Sequence, residues 1–152
     1  MNIVAKPVHE PSNPGIDYIE ANLPSYRPML STVGRFAYAW TFNPDENAIQ
    51  AISSNLPIWL YLIGEPWYSP LRMHIVDFFH GRQPVQCPRE WQQYCIPEEW
   101  GISEFQDWLP IHIWFLIDSI EELNPAIDVR SFTPYFDRKY RYYNINSFGI
   151  MQ

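Results

Sequence analysis

Residues 35–55 read RFAYAWTFNPDENAIQAISSN, and the reading of this stretch decides the fold class. In Arg35–Phe42 the rings of Phe36, Tyr38, Trp40 and Phe42 alternate with Ala37, Ala39 and Thr41. A period of two residues is that of a strand, because successive side chains leave opposite faces. One face of this strand is aromatic and the other is small. A helix follows at once. Asn43 stands as its N-cap, Pro44 suits the first helical position, and Glu46 completes a capping box. Ala48, Ile49, Ala51 and Ile52 give the helix an apolar stripe that ends near Asn55.

Working outward, Pro57–Ile63 (PIWLYLI) predicts a buried strand, and Leu71–Phe79 predicts a second, in which Met73 and Ile75 oppose Arg72 and His74. The loop Gly64–Pro70 (GEPWYSP) joins them as a hairpin and displays Trp67 and Tyr68. Gly81–Pro110 reads as an insertion holding two short helices, Pro88–Tyr94 and Pro97–Leu109. The second gathers Ile102, Phe105, Trp108 and Leu109 on one face. Ile111–Asp118 (IHIWFLID) is the clearest strand. Ser119-Ile-Glu-Glu follows as a capped helical turn, stopped by Asn124-Pro125. Ser147–Met151 predicts a last strand. This order predicts an α+β fold: a curved mixed or antiparallel sheet closing toward a small barrel, flanked by short helices.

Upstream, Pro7, Pro11, Pro14, Pro24 and Pro28 break regular structure. Ile16, Ile19 and Leu23 sit at helical spacing between them. Residues 1–33 are therefore expected to form a Pro-rich arm packed on a single domain, 34–152.

With 152 residues, 47% of them apolar, the chain suits one domain with one core. Its 7 Trp, 10 Tyr and 9 Phe exceed what a core of this size requires, so some rings are expected to line a groove. A net charge of −7, with Lys6 and Lys139 as the only lysines, excludes binding of polyanions by bulk electrostatics. Nucleic-acid binding then needs a local basic patch. Residues 130–141 (RSFTPYFDRKYR) supply one: Arg130, Arg138, Lys139 and Arg141 against Asp137 give 4 − 1 = +3, leaving −10 elsewhere. Phe132, Tyr135, Phe136 and Tyr140 interleave with these charges, a composition suited to phosphates and stacked bases.

Cys87 and Cys95 make no disulfide framework and read as two thiols. The first ten residues lack a signal-peptide layout, and the longest apolar runs fall short of the ~20 residues that span a bilayer. A cytoplasmic location without a membrane partner is expected. His74, His80, Cys87, Cys95 and His112 are scattered, so neither metal nor cofactor is expected. No G-x-S-x-G, H-E-x-x-H or Gly-rich phosphate loop occurs. A catalytic reading has to use His74, Asp77 and His80.

The aromatic strand running into a capped helix, the hairpin, the phrase Pro110-Ile-His-Ile-Trp-Phe-Leu-Ile-Asp-Ser-Ile-Glu-Glu-Leu-Asn-Pro125 and the terminal Asn146-Ser-Phe-Gly-Ile together resemble the PUA-like superfamily. The nearest likeness is to EVE- and YTH-type domains and to the N-terminal DNA-reading domains of McrB-type restriction GTPases. The resemblance covers roughly residues 34–152. It departs from the EVE pattern at Ser53–Pro57, too short for the loop that holds part of that family's pocket. The resemblance implies a small barrel that binds a modified or flipped nucleobase in an aromatic pocket without chemistry, beside a motor or nuclease subunit or domain.

An extruded base needs flat walls and a few polar groups to read its edge. Tyr38, Trp40, Trp67 and Tyr68 are the candidate walls, with core packing favoured for Tyr38; Thr41, Asn43 and Asp77 are the candidate edge readers. Arg130, Arg138, Lys139 and Arg141 are the candidate phosphate contacts. Core packing of Tyr38 and Trp40, loop anchoring by Trp67 and Tyr68, helix capping by Asn43 and a water-facing Asp77 are the bland alternatives. The favoured expectation is a non-catalytic DNA-binding module for a modified, methylated base in a restriction or defence system. A protein-interaction module, such as a phage-encoded inhibitor or adaptor, is the alternative, since aromatic residues also favour interface cores. A small enzyme ranks third.

Overall fold

The computed structural model describes residues 1–6, 23–64, 67–105, 109–141 and 148–152. Pro7, Pro11, Pro14, Ile16, Ile19, Trp108, Asn146 and Ser147, all used above, lie outside the described residues. The fold is α+β with a mixed six-stranded sheet in the order β2-β7-β4-β3-β1-β8. Its strands are β1 (Asn2–Ala5), β2 (Phe36–Trp40), β3 (Ile58–Leu62), β4 (Tyr68–His80), β7 (Ile113–Asp128) and β8 (Phe148–Met151). A small ribbon pairs β5 (Glu104–Phe105) with β6 (Leu109–Pro110). The helices are α1 (Tyr26–Val33) and α2 (Glu46–Asn55), with 3₁₀ turns at Arg89–Tyr94, Pro97–Glu99 and Val129–Ser131. Among the described residues no helix is long and apolar enough to cross a membrane.

The chain forms two compact units. The first takes its described residues from Met1–Pro24, Ile58–His74 and Ile120–Gln152. Here β1 pairs parallel with β3 (Val4 opposite Tyr61) and antiparallel with β8 (Val4 opposite Gly149). Ile3, Val4 and Ala5 are completely buried. Val4, Tyr61, Ile63, Val129 and Met151 form the core of this unit, covered by Trp59, Trp67, Leu123, Ile127 and Phe132.

The second unit takes its described residues from Ser25–Pro57 and Ile75–Ser119. Its centre is β2, buried along its whole length and antiparallel to β7. The two faces differ as the alternation predicts. The aromatic face meets α1: the Tyr26 ring lies 4.9 Å from Phe36 and 5.0 Å, edge-on, from Tyr38. On the small face Ala39 stands opposite Trp114 and leaves room for its indole, whose Nε1 donates to the Val85 carbonyl at 3.0 Å. Ala37, Ala39, Cys87, Cys95, Ile111 and Trp114 make this core.

Several sequence expectations need correction. The cap of α2 is Asp45, not Asn43. Asp45 is extended (φ −72°, ψ 174°), and its Oδ1 accepts from the Ala48 N–H at 3.0 Å. A cap must reach the third helical N–H, and Asn43 stands two residues too early. Pro97–Leu109 is no helix. After the turn at Pro97–Glu99 the chain becomes the β5–β6 ribbon, and the Ile111 N–H donates to the Ser103 carbonyl at 2.8 Å. Gly101 disfavours helix; Trp100, which closes the turn, and Ile102 and Phe105 beyond it all pack against the core. Ser119–Glu122 is not a helical turn either, because β7 continues to Asp128. Ile120, Leu123 and Ile127 suit a helical stripe in isolation, but packing of Leu123 and Ile127 in the first unit selects strand. Finally, β1 and α1 were not read from the sequence. Gly34, read as the start of the domain, closes α1 instead: at φ 80° it adopts the left-handed cap, and its N–H donates to the Leu30 carbonyl at 3.1 Å.

The two candidate caps can be told apart in urea unfolding. Asp45→Ala is expected to destabilise the protein by about 1 kcal/mol, whereas Asn43→Ala leaves the start of α2 intact and costs less.

Candidate functional site

The first unit gathers polar and aromatic side chains on one sheet face. Alternation along β3 places Trp59 beside Tyr61, and alternation along β4 places Arg72 beside His74. The Arg72 guanidinium carbon lies over the Trp59 ring, 3.8 Å from its centroid, and the His74 ring meets Trp59 at a tilt of 50°, centroids 4.8 Å apart. Arg72 Nη1 donates to the Tyr61 hydroxyl at 3.1 Å, and Nη2 donates to both Glu121 oxygens at 3.1 and 3.0 Å. Burial works against the Arg72 charge, but the bonds to Tyr61 and Glu121 outweigh it, so its pKa is raised.

The loop residues Trp67 and Tyr68 and the start of the basic segment meet in this same unit. The Val129 N–H donates to the Trp67 carbonyl at 3.1 Å. Trp67 packs on the core as an anchor, while Tyr68 is 42% exposed. The Arg130 pKa is raised, first by Asp128 and to a smaller extent by Tyr68. The Arg130 guanidinium forms a two-point bond to Asp128, Nε to Oδ1 at 3.0 Å and Nη2 to Oδ2 at 2.7 Å. Asp128 also accepts from the Arg130 N–H at 3.0 Å, and these bonds hold its carboxyl below the usual carboxylate range.

The rest of the basic segment is a strap along the outer edge of β8. The Tyr135 N–H donates to the Ile150 carbonyl at 2.9 Å, the Ile150 N–H to Tyr140 at 2.8 Å, and the Gln152 N–H to Thr133 at 2.8 Å. Rings run beneath it: Tyr135–Phe136 at 5.0 Å, Phe136–Tyr140 at 5.7 Å and Tyr140–Phe148 at 5.4 Å. Tyr140 takes φ 56°, a left-handed conformation that costs a non-glycine residue roughly 1–2 kcal/mol. Arg141 donates to the Asp137 carbonyl and closes this turn, so it is part of the scaffold. Tyr135, Arg138 and Lys139 are exposed on the strap.

Trp40, Thr41, Asn43 and Asp77 belong to the second unit. Trp40 is enclosed, 2% exposed, with Tyr38 at 5.3 Å and Phe42 at 5.9 Å; it is core, not an open wall. Thr41 is half-buried. Asn43 is exposed, and its Oδ1 accepts from His80 Nε2 at 2.7 Å. Burial, then His112, then Arg82 lower the His80 pKa. Asp77 is exposed and accepts from the Phe78 N–H at 2.8 Å. His112 Nδ1 donates to the Gly81 carbonyl at 2.9 Å. Among the described residues no three His, Cys, Asp or Glu side chains are placed to hold a metal ion.

The same unit holds a proton-sensitive contact. The Tyr26 hydroxyl donates to the Glu99 carboxylate, 2.9 Å from Oε1 and 2.8 Å from Oε2. Burial raises the Glu99 pKa; Tyr26 pulls it down, Glu98 pushes it up, and the net direction is up. Burial, then the Glu99 charge, raise the Tyr26 hydroxyl well above its ordinary value. Cys95 is raised by its hydrogen bond to Cys87 and then by burial, so its thiol stays protonated.

Trp59, Arg72 and Glu121 were missed as site residues, and His74 entered only as part of a catalytic reading. The signal was present: Arg72 and His74 fall on the polar side of β4, and Trp59 alternates with fully buried Ile58 and Leu60. No protein-family model, curated protein or solved structure matches the chain.

Glu99 sets a pH dependence. A carboxyl whose folded pKa lies above its unfolded value of about 4.3 stabilises the fold at low pH, and that contribution is lost as pH rises through the folded value. Glu99→Gln, which keeps an acceptor for Tyr26, is expected to gain stability relative to the native protein between pH 4 and pH 7. Urea midpoints at both pH values check this; parallel profiles would contradict it.

Proposed function

We propose that this protein is a non-catalytic nucleic-acid-binding module of PUA-like kind, which reads a modified or flipped base for a restriction or defence system. The contact surface belongs to the first unit. One observation carries the reading: the exposed Tyr68 ring shares this unit with an exposed arginine that Asp128 holds in place. The same chain segment continues into the strap that displays Tyr135, Arg138 and Lys139. Rings contribute base stacking at about 1–3 kcal/mol each, and the cations contribute phosphate contacts. The surface is scaffolded, so little ordering entropy opposes binding.

Trp40, Thr41, Asn43 and Asp77 receive no role in this version. Arg130, Arg138 and Lys139 keep the phosphate role, and Tyr68 keeps the stacking role.

One observation favours the alternative, a protein-interaction module such as an inhibitor or adaptor. Asp128 neutralises much of Arg130, and Glu121 does the same for Arg72, so the basic field is weaker than the sequence count suggests. A partner protein needs no such field.

A titration of methylated and unmethylated DNA at two salt concentrations separates the two. The expected result is tighter binding of one modified form, with a shallow salt slope of about −3 from some three phosphate contacts. Tyr68→Ala is expected to cost about 1–3 kcal/mol of binding at both salts. The double variant Arg138→Ala, Lys139→Ala should flatten the slope by about 2. Equal absence of binding to every DNA tested overturns the nucleic-acid reading.

A further inference from the structure

We infer that Arg72 and Glu121 form a base-reading subsite that takes an unstacked base with an exocyclic amino group, cytosine or adenine. The inference rests on the nucleic-acid reading above and adds the class of base.

Arg72 is fixed on three sides. Trp59 covers one face of its guanidinium, Tyr61 holds one end and Glu121 holds the other. Its side chain still keeps 26% of its surface exposed, and this cannot include the face on Trp59. A guanidinium anchored over a ring, on a side chain that keeps part of its surface open to solvent, offers a base a surface to stack on.

A partly exposed ion pair contributes about 0–1 kcal/mol. The Arg72 Nε–H is buried without a hydrogen-bond partner among the described residues, which costs about 1–3 kcal/mol. The site holds its arginine in one orientation while leaving one of its donors unpaired.

Glu121 supplies the discrimination. Its side chain is 48% exposed, and Arg72 Nη2 engages each oxygen once. A carboxylate has about four acceptor positions, so two remain. An acceptor beside the platform favours an amino group, as on cytosine N4 or adenine N6. It disfavours the carbonyl that thymine presents at the same place.

The test is fluorescence anisotropy with short labelled oligo(dC) and oligo(dT), whose bases differ at this position. The native protein is expected to bind oligo(dC) about tenfold more tightly. Glu121→Gln offers both an acceptor and a donor, and it should bring the two affinities within about twofold without lowering binding to oligo(dT). Arg72→Lys removes the plane and keeps the charge, so it should weaken both oligonucleotides alike. Equal binding of the two by the native protein, or a preference that survives Glu121→Gln, overturns the subsite and leaves the nucleic-acid reading standing. No binding of either oligonucleotide overturns both.

Discussion

A strand with no exposed surface must find backbone partners on both sides, and in the first unit that constraint falls on β1. Ile3, Val4 and Ala5 are sealed from water, so every peptide group there depends on β3 or β8. Val4 then closes the core with Tyr61, Val129 and Met151. Everything proposed for function is built outward from this layer. Tyr61 reaches Arg72 with its hydroxyl and packs against Phe132 at 4.9 Å, just before the strap begins. Val129 ties the loop at Trp67 to the segment that carries Arg130.

The candidate surface is a case of weak interactions used for orientation. Neither the Arg72–Glu121 pair nor the Arg130–Asp128 pair is buried enough to contribute much stability. Each fixes the plane and direction of a guanidinium whose neighbours are rings. A freely rotating arginine would lose that freedom on binding; here the fold has already restricted it. The left-handed Tyr140 and the bond from Arg141 to Asp137 do the same for the turn that displays Arg138 and Lys139.

The sequence was legible where one period dominates. The alternation in 36–40, the apolar runs at 58–62 and 113–117, and the capped helix at 46–55 all appear as elements. It misled where two periods fit the same residues. Ile120, Leu123 and Ile127 suit a helix in isolation, and only sheet neighbours make them a strand. Asn43 and Asp45 are both good caps, and the geometry of one turn separates them. The strand Asn2–Ala5 is too short to show any period. The site was half legible: Tyr68 and the basic segment came from composition, whereas Trp40 satisfied the same criterion and proved to be core. A ring count cannot tell a wall from an interior. The Arg72–Trp59–Glu121 arrangement needs three strands in register, which no local pattern encodes.

The strap over β8 has a further effect on how molecules of this protein behave together. An open sheet border exposes a row of N–H and C=O groups that invites another chain to pair with it. Here Thr133, Tyr135 and Tyr140 already occupy the β8 border through their own peptide groups. Colloidal stability and the display of Arg138 and Lys139 thus share one stretch of backbone. Evolution of that turn is doubly constrained: a change that loosens it to alter recognition also uncovers an adhesive rim.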